Sequence, residues 1–273
     1  TSHFKSLTVI GFQGRHSALS IVVKEICLSN GGASMHGVIL ACDDQLDIDF
    51  CRHLKNLYSN VGFVVTKNNP LGNKWQTAVD CARTLSPDFI AITGSDDLMS
   101  SSYISRNIDI MEDVSLGQIS LAGPRTWYIL SNSDLVGNKR KDTSLIVFKI
   151  AYKNKYHKMP LGAGRIYSKG FLDGCDWQIF DRTLNKLLDD KGYYECLSKH
   201  GVIYDTTLDD GVIVSIKGNW AAMNPLKNIL EADSIAVEEL KDFQLHTLKD
   251  LAPESWSEIL NILGITKEEV VEK

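Results

Sequence analysis

Hydrophobic residues in the first hundred positions alternate between short unbroken runs and helical spacing. An unbroken run is typical of a strand buried on both faces, whereas spacing of three or four residues is typical of an amphipathic helix. The order along the chain predicts β-α-β-α-β-α-β, which favours an α/β fold with a largely parallel sheet covered on both faces. The four predicted strands are Leu7–Phe12, Gly37–Cys42, Val61–Val65 and the run from Phe89 to Asp96-Asp97.

The second half is less regular, and longer loops separate its apolar runs. One helix is predicted across Phe180–Leu188. The predicted strands are Gln118–Ala122, Leu145–Tyr152, Ile166–Tyr167, Val202–Tyr204 and Val212–Ile216.

From about residue 226 the apolar spacing becomes helical. A helix is predicted through Val237, Leu240, Phe243, Leu248 and Leu251, a second one covers Trp256–Leu263, and Thr266–Glu269 has the form of a capping box. We therefore predict a main α/β domain over residues 1–225 and a small C-terminal helical appendage over residues 226–273.

Composition is that of an ordinary globular protein. The chain has 273 residues, of which 44% are hydrophobic and 23% charged, and its net charge of −5 gives no overall basic signature for nucleic acid. The six cysteines are scattered, without the spacing of a zinc site or a disulfide scaffold. No apolar run approaches the ~18 residues that cross a bilayer. Together these features favour a cytoplasmic location.

Polar groups follow three of the four predicted strands in the first half. They are Arg15, the pair Asp43-Asp44 and the pair Asp96-Asp97. Since the carboxyl ends of parallel strands share one edge of a sheet, these groups are expected to converge in one crevice. Two adjacent acids repel each other unless a cation lies between them, and a divalent ion that carries a diphosphate meets that need. The glycines around Phe12 lack the spacing of known dinucleotide and phosphate-binding loops.

The same residues carry a resemblance to a known family. The order of motifs is similar to that of the GT-A fold in family 2 glycosyltransferases, over about residues 5–220. The motifs are Leu7–Arg15, Val38–Asp44, Leu71-Gly72-Asn73-Lys74 before a helix, and Gly94-Ser95-Asp96-Asp97. Those enzymes take a nucleotide-sugar donor together with a divalent metal, so the resemblance implies the same chemistry here.

The resemblance also implies roles for individual residues. Asp43 or Asp44 would contact the base of the donor, Asp97 would ligate Mn²⁺ or Mg²⁺, and Asp96 would face the ribose or the metal. Gly94 stands where the family often has a first Asp. The implied donor-binding set is Phe12, Arg15, Asp43, Asp44, Lys74 and Asp96. The structural alternatives are that the acids only cap helices and that Lys74 is a solvated residue of a first helical turn.

Family 2 enzymes are similar in placing a carboxylate base after a Gly-rich acceptor segment, here Gly162–Arg165. Asp189 is the first choice for this base and Asp190 the second, with Asp176 and Asp181 as further candidates. The alternative for Asp189-Asp190 is a helix C-terminus that ends in solvated acids.

The sequence predicts several kinds of acceptor. Residues 139–158 hold seven lysines and arginines with Phe148, Tyr152 and Tyr156 among them, a pattern that nucleic-acid grooves use. A glycan, a lipid-linked group or another hydroxyl is the leading acceptor, and DNA with hydroxymethylated bases, as in some phage glycosyltransferases, is an alternative. A solvated strand with lysines at its surface is the plainer explanation. A non-catalytic module that binds sugar nucleotides also remains open, and a nucleotidyltransferase is a weaker alternative.

Overall fold

A computed structural model describes residues 4–29, 35–136, 144–153, 159–218, 226–241, 243 and 245–266. Two β-sheets form its framework, and helices cover them. The larger sheet has seven strands in the order β10-β6-β9-β4-β1-β2-β3. They are β1 (Ser6–Gly11), β2 (His36–Cys42), β3 (Val61–Val65), β4 (Phe89–Ile92), β6 (Ile119–Pro124), β9 (Ile166–Ser168) and β10 (Val202–Thr206).

Strands β1 to β4 run parallel to one another, as the sequence predicts. Strand β9 is the antiparallel member and lies between β4 and β6. Every residue of β2 and of β4 is buried, which explains why these strands read as unbroken apolar runs. The carboxyl ends of β1, β2 and β4 therefore meet at one edge.

The three predicted helices of the first half are present and cover this sheet. They are α1 (His16–Ser29), α2 (Gln45–Leu57) and α3 (Leu71–Arg83). Helix α4 (Tyr103–Glu112) begins six residues after Asp97. Buried apolar side chains of α1, among them Leu19, Val22 and Ile26, pack with Ile10 and Leu40 of the sheet.

The smaller sheet has five strands in the order β12-β8-β7-β11-β5. They are β5 (Asp97–Met99), β7 (Thr126–Asn132), β8 (Leu145–Tyr152), β11 (Ile213–Ile216) and β12 (Ile235–Glu239). Strand β5 begins at Asp97 and pairs with β11 in antiparallel register, so that Ser215 lies opposite Asp97. This pairing brings the end of β11 to the edge where β4 ends.

The C-terminal part differs from the purely helical prediction. Helices α7 (Leu226–Leu230), α8 (Leu245–Leu251) and α9 (Trp256–Ile262) are present, but β12 pairs with β8 and places Val237 opposite Ile150. The predicted helix through Val237 is therefore wrong in its first half. Its short apolar pattern fits a strand as well, and pairing with the open edge of β8 decides between the two. The predicted capping box lies largely outside the described residues.

The helix predicted across Phe180–Leu188 is also wrong. The described helices of this region are α5 (Lys169–Gly174) and α6 (Asp190–Ser198), and turns connect them. Leu187 adopts a left-handed backbone with φ 53°, a conformation that no regular helix contains. Among the described residues, no helix combines the length and apolar character that crossing a membrane requires.

Candidate active site

A buried carboxylate with two cations lies where β4 leads into β5. Asp96 is 3% exposed, and it accepts hydrogen bonds from Lys217 Nζ at 2.9 Å and from Arg15 at 3.3 Å. Lys217 follows β11 and is itself buried, whereas Arg15 lies in the turn between β1 and α1. The main chain fixes the acid further, because the N–H of Ile216 donates to the carbonyl of Asp96 at 2.7 Å. The predicted convergence of Arg15 with the Asp96-Asp97 pair is therefore present.

A second buried acid holds the turn that carries Arg15. Asp47 of α2 is 1% exposed and accepts a hydrogen bond from the N–H of Gly14 at 3.0 Å. The ring nitrogen Nε2 of His16 lies 2.7 Å from the same carboxylate. Gly14 and Arg15 both adopt left-handed backbone, with φ of 62° and 58°, and that conformation is costly for arginine. Asp47 thus stabilises an unusual turn and aims Arg15 at Asp96.

Asp97 has surroundings different from those of Asp96. Its carboxylate accepts a hydrogen bond from Ser215, and its carbonyl accepts one from the hydroxyl of Thr93. Burial, followed by the negative charge of Asp96, raises the pKa of Asp97, while Lys217 and Ser215 act in the opposite direction. A cation beside this carboxylate would offset both of the effects that raise its pKa.

The two acids do not form a ready-made metal site. Asp96 is already neutralised by Lys217 and Arg15, and a metal contact from it would require the release of one of these cations. In the described part of the chain, no three His, Cys, Asp or Glu side chains come together as a metal cluster. Asp97 fits a divalent ion that takes its other ligands from phosphate and water. The Mn²⁺ or Mg²⁺ expected at Asp97 stays a prediction.

A cavity of about 590 Å³, here called the larger cavity, opens beside Asp97. Asp97 and Gly94 border it at the sheet edge, and Asp189 borders it from the loop before α6. Its apolar lining includes Leu71, Trp75, Phe180, Leu187 and Leu188. This volume lies in the usual range for small-molecule sites. The predicted metal ligand and the first choice for the catalytic base therefore share one cavity.

The segment before α6, which leads to Asp189 and forms one wall of the larger cavity, is hydrogen-bonded to α3. The buried side chain of Gln76 accepts hydrogen bonds from the N–H groups of Ile179 and Phe180, and it donates to the carbonyl of Trp177 at 2.8 Å. At the start of α3, the N–H of Gly72 donates to the carbonyl of Leu184 at 2.8 Å. The irregular segment before α6 thus replaces helical hydrogen bonds with bonds to α3, which explains why no helix forms there.

Asp189 and Asp190 stand at the N-terminal end of α6, so the alternative of a helix C-terminus is wrong. The guanidinium of Arg165, which is 1% exposed, lies 3.8 Å from the carboxylate of Asp189 and 3.7 Å from that of Asp190. Arg165 also donates to the carbonyls of Asp189 and Pro160. Burial, and then the charge of Asp189, raises the pKa of Asp190, whereas Arg165 lowers it.

The predicted Gly-rich segment supports Asp189 directly. The N–H of Gly164 donates to the carbonyl of Ile92 at 2.6 Å, which attaches the segment to the end of β4. A Cβ at Gly162 would come within 1.7 Å of Asp189 Oδ2, so only glycine leaves room for the carboxylate there. The segment therefore lies between the sheet edge and the candidate base and contacts both.

Asp43 and Asp44 are both engaged with the main chain. Asp44 caps α2 by accepting a hydrogen bond from the N–H of Asp47 at 2.9 Å, as the structural alternative proposed. Asp43 accepts from the N–H of Asn68 at 2.8 Å and so ties the loop after β3 to the end of β2. Neither residue borders the larger cavity. Their predicted contact with the donor base stays a prediction that adds to these structural roles.

Lys74 and Phe12 are buried side chains rather than open ligands. The amino group of Lys74 donates to the carbonyl of Phe12 and to the side chain of Asn68, and burial lowers the pKa of Lys74. The alternative of a solvated Lys74 is therefore wrong, since the residue is fully buried. Phe12 is 3% exposed and packs edge-on against the rings of His16 and Phe50. In this arrangement both residues support the turn before α1, and their predicted part in donor binding stays a prediction.

The other candidate residues lie away from the larger cavity. Asp176 forms an exposed ion pair with Arg83, and Asp181 accepts hydrogen bonds within its own turn from Thr183. Neither borders the larger cavity. In the predicted acceptor segment, residues 139–143 and 154–158 lie outside the described part, and five of its seven cations are among them. Of the rest, Phe148 is buried in the core, and Lys149 lies opposite Glu238 of β12.

Four residues of the site were missed by sequence reasoning: Asp47, Gln76, Arg165 and Lys217. The sequence could have indicated Lys217, because this residue directly follows the predicted strand Val212–Ile216, as Asp43 directly follows the predicted strand Gly37–Cys42. Arg165 closed the recognised Gly-rich segment, but nothing in the pattern shows that it is buried. Asp47 and Gln76 lie inside helices and act through contacts distant in sequence, which periodicity does not reveal.

Comparisons with known proteins bear on the fold. No protein-family model and no curated protein matches the chain. Among solved structures, it is similar to S. aureus TarS in complex with UDP-GlcNAc, with a TM-score of 0.55 and 14% identity over 97% of this chain and 77% of that one. A second structure of S. aureus TarS matches 80% of this chain at 12% identity and a TM-score of 0.51. The chain spans 36% of the length of that second structure.

At such low identity the likeness concerns the fold alone. The order of strands, the covering helices and these neighbours together show a mixed α/β structure of the GT-A type, as the sequence predicts.

Proposed function

We propose that the chain is a glycosyltransferase that moves a sugar of the hexose type from a nucleotide-diphosphate sugar to an acceptor hydroxyl. The observation that carries the proposal is the larger cavity, which Asp97 borders from the sheet and Asp189 from the facing loop. The likeness to a TarS structure that contains UDP-GlcNAc supports a nucleotide sugar as the donor and makes UDP the first nucleotide to test. Within this proposal the enzyme is family 2-like and inverts the anomeric centre.

Asp189 is the base in this proposal. Its carboxylate accepts the proton of the acceptor hydroxyl, and the oxygen of that hydroxyl bonds to the anomeric carbon of the donor. The bond between that carbon and the diphosphate breaks, and its electron pair leaves with the nucleoside diphosphate. A positioned base of this kind contributes about 10²–10⁴-fold to the rate. The guanidinium of Arg165 lies beside this carboxylate, and Gly162 leaves space for it.

The departing diphosphate needs positive charge near the sheet edge. Arg15 and Lys217 contact Asp96, and their two charges balance those of Asp96 and the adjacent Asp97. In a buried setting these charges act more strongly than in water. A divalent ion bound at Asp97 with the donor would add Lewis-acid stabilisation of the leaving phosphate.

Thermal unfolding with UDP and UDP-GlcNAc, each with and without Mn²⁺, tests donor binding. Saturation a hundredfold above Kd stabilises the folded state by about 2.7 kcal/mol, and this appears as a higher Tm. Asp97→Asn removes the negative charge that the ion requires and is expected to abolish the Mn²⁺-dependent part of the shift. Asp109→Asn, at an exposed position of α4, is the matched control and is expected to behave as the unmodified chain.

Release of UDP from UDP-GlcNAc, measured in the same samples, separates an enzyme from a binding module. Release that disappears in Asp189→Asn supports catalysis. Binding without any release favours the non-catalytic module instead. The absence of a shift with every nucleotide diphosphate would falsify the proposal as a whole.

A further inference from the structure

A second cavity of about 240 Å³, here called the smaller cavity, lies on the other side of Asp189. Its lining includes Tyr152, Met159, Arg165, Asp189, Asp190 and Ser234. The larger and smaller cavities share Gly162, Leu187 and Asp189. Asp189 therefore stands between two spaces, one of which also contains Asp97.

This position is what a transfer between two substrates requires. A base that removes the proton of an acceptor hydroxyl must reach the acceptor and also lie near the reacting carbon of the donor. Since Asp97 borders only the larger cavity, the donor diphosphate belongs on that side. The smaller cavity is the space left for the molecule whose proton Asp189 removes.

The charges around the smaller cavity define what it can hold. Two carboxylates, those of Asp189 and Asp190, face a single guanidinium, that of Arg165, at 3.8 and 3.7 Å. Arg165 also donates to the carbonyls of Asp189 and Pro160, which uses two of its five N–H donors. The described lining therefore carries a net negative charge. A phosphate placed there would be repelled, whereas hydroxyl groups would find carboxylate acceptors.

The volume of the smaller cavity and its uncharged lining residues also favour a ligand that carries hydroxyl groups. The volume corresponds to the share of roughly eight water molecules in the liquid, which suits one sugar ring and is small for a nucleotide. Tyr152 and Ser234 contribute hydroxyl groups, and Met159 and Leu187 contribute apolar surface. Hydroxyls beside apolar patches are complementary to a sugar, which presents O–H groups at its rim and C–H groups on its faces.

We propose that the smaller cavity is the acceptor subsite and that it binds one uncharged, hydroxyl-bearing unit of the sugar type, with one hydroxyl directed at Asp189. The inference rests on the proposed function and names the acceptor class for it. The two carboxylates disfavour a phosphorylated unit at the same place.

Saturation-transfer NMR on the UDP-loaded protein tests the acceptor class directly. The probes are the methyl glycosides of glucose, galactose and mannose, each compared with its 6-phosphate. At least one uncharged glycoside is expected to bind, and its 6-phosphate is expected to bind at least fivefold more weakly. Equal or tighter binding of the phosphates overturns the inference, and so does the failure of all three uncharged glycosides to bind.

Ser234→Trp tests whether the glycoside binds in the smaller cavity. An indole at this position fills the smaller cavity and is expected to weaken glycoside binding at least tenfold, whereas Ser198→Trp, at the exposed end of α6, is expected to have no effect. Glycoside binding by Ser234→Trp equal to that of the unmodified chain overturns the assignment. The Tm shift with UDP shows that the variant is folded. If Ser234→Trp does not fold, Asp190→Asn replaces it, with an expected loss of at least half of the preference for uncharged over phosphorylated glycosides.

This experiment separates the two proposals. If the unmodified protein shows neither a UDP shift nor UDP release, the proposed function fails. If UDP binds and is released from UDP-GlcNAc, but Ser234→Trp leaves glycoside binding unchanged, only the acceptor subsite fails.

Discussion

The chain carries two pairs of adjacent acids, and their surroundings differ. Asp96-Asp97 lies where strand β4 passes into β5, and two cations neutralise its first member. Asp189-Asp190 lies in a turn at the start of α6, and the single Arg165 serves both members. In each pair one acid borders the larger cavity. In both halves of the molecule the neighbouring acid, Asp96 or Asp190, does not border that cavity.

The difference lies in what holds each pair in place. Backbone hydrogen bonds of two sheets position the first pair, as when Ile216 donates to the carbonyl of Asp96. The second pair depends on side chains from other elements, chiefly Arg165 and, through the adjoining wall, Gln76. Changes around the first pair should therefore affect stability first, whereas changes around the second should affect catalysis first.

Asp189→Asn is expected to have the largest effect. It keeps the shape of the side chain and removes its basicity, so sugar transfer should fall by about 10²–10⁴-fold. Steady-state release of UDP with an acceptor measures this loss, and the Tm shift with UDP should persist. Rates within threefold of the original would show that another group is the base.

Lys217→Gln tests the sheet pair. It leaves the buried Asp96 with only Arg15 as its charged partner, and we expect a loss of about 3 kcal/mol in the free energy of unfolding. Urea unfolding measures it. Lys227→Gln is the control, because Lys227 is exposed and its change should stay within about 0.5 kcal/mol. Equal stability of both variants would mean that Asp96 does not need Lys217.

Gln76→Leu links the two regions. It removes a side chain that makes three hydrogen bonds to the wall before α6, and we expect a loss of about 2 kcal/mol in stability. We also expect a lower kcat for transfer, because the segment that positions Asp189 opposite Asp97 is no longer fixed to α3. Gln118→Leu, at an exposed position, is the control. If stability falls as expected but kcat is unchanged, sugar transfer does not depend on the position of this segment.

Asp44 offers the smallest and most discriminating comparison. Asp44→Ala removes the cap of α2 and should cost about 1 kcal/mol, whereas Asp44→Ser keeps a capping oxygen and should cost less. If Asp44 also contacts the donor base, both variants weaken UDP binding equally. Unchanged UDP binding in Asp44→Ser would limit the residue to its structural role.

The contrast between the two regions also explains what sequence reasoning could reach. Unbroken apolar runs predicted β1 to β4, and parallel order predicted that Arg15 meets the Asp96-Asp97 pair. Local periodicity was misleading where contacts distant in sequence determine the secondary structure. Strand β12, for example, forms because it pairs with the open edge of β8. The same holds for Lys74, whose burial follows from oxygens of Phe12 and Asn68 that no local pattern predicts.

Gly94 constrains how this crevice can be redesigned. A Cβ there would lie 2.2 Å from Asp97 Oδ2, so the carboxylate occupies the place of the missing side chain. Replacing Gly94 with an acidic residue would thus displace the carboxylate of Asp97 rather than add a further ligand beside it. An engineer who wants more acidic ligands in this crevice would have to start from residues across the opening, not from this loop.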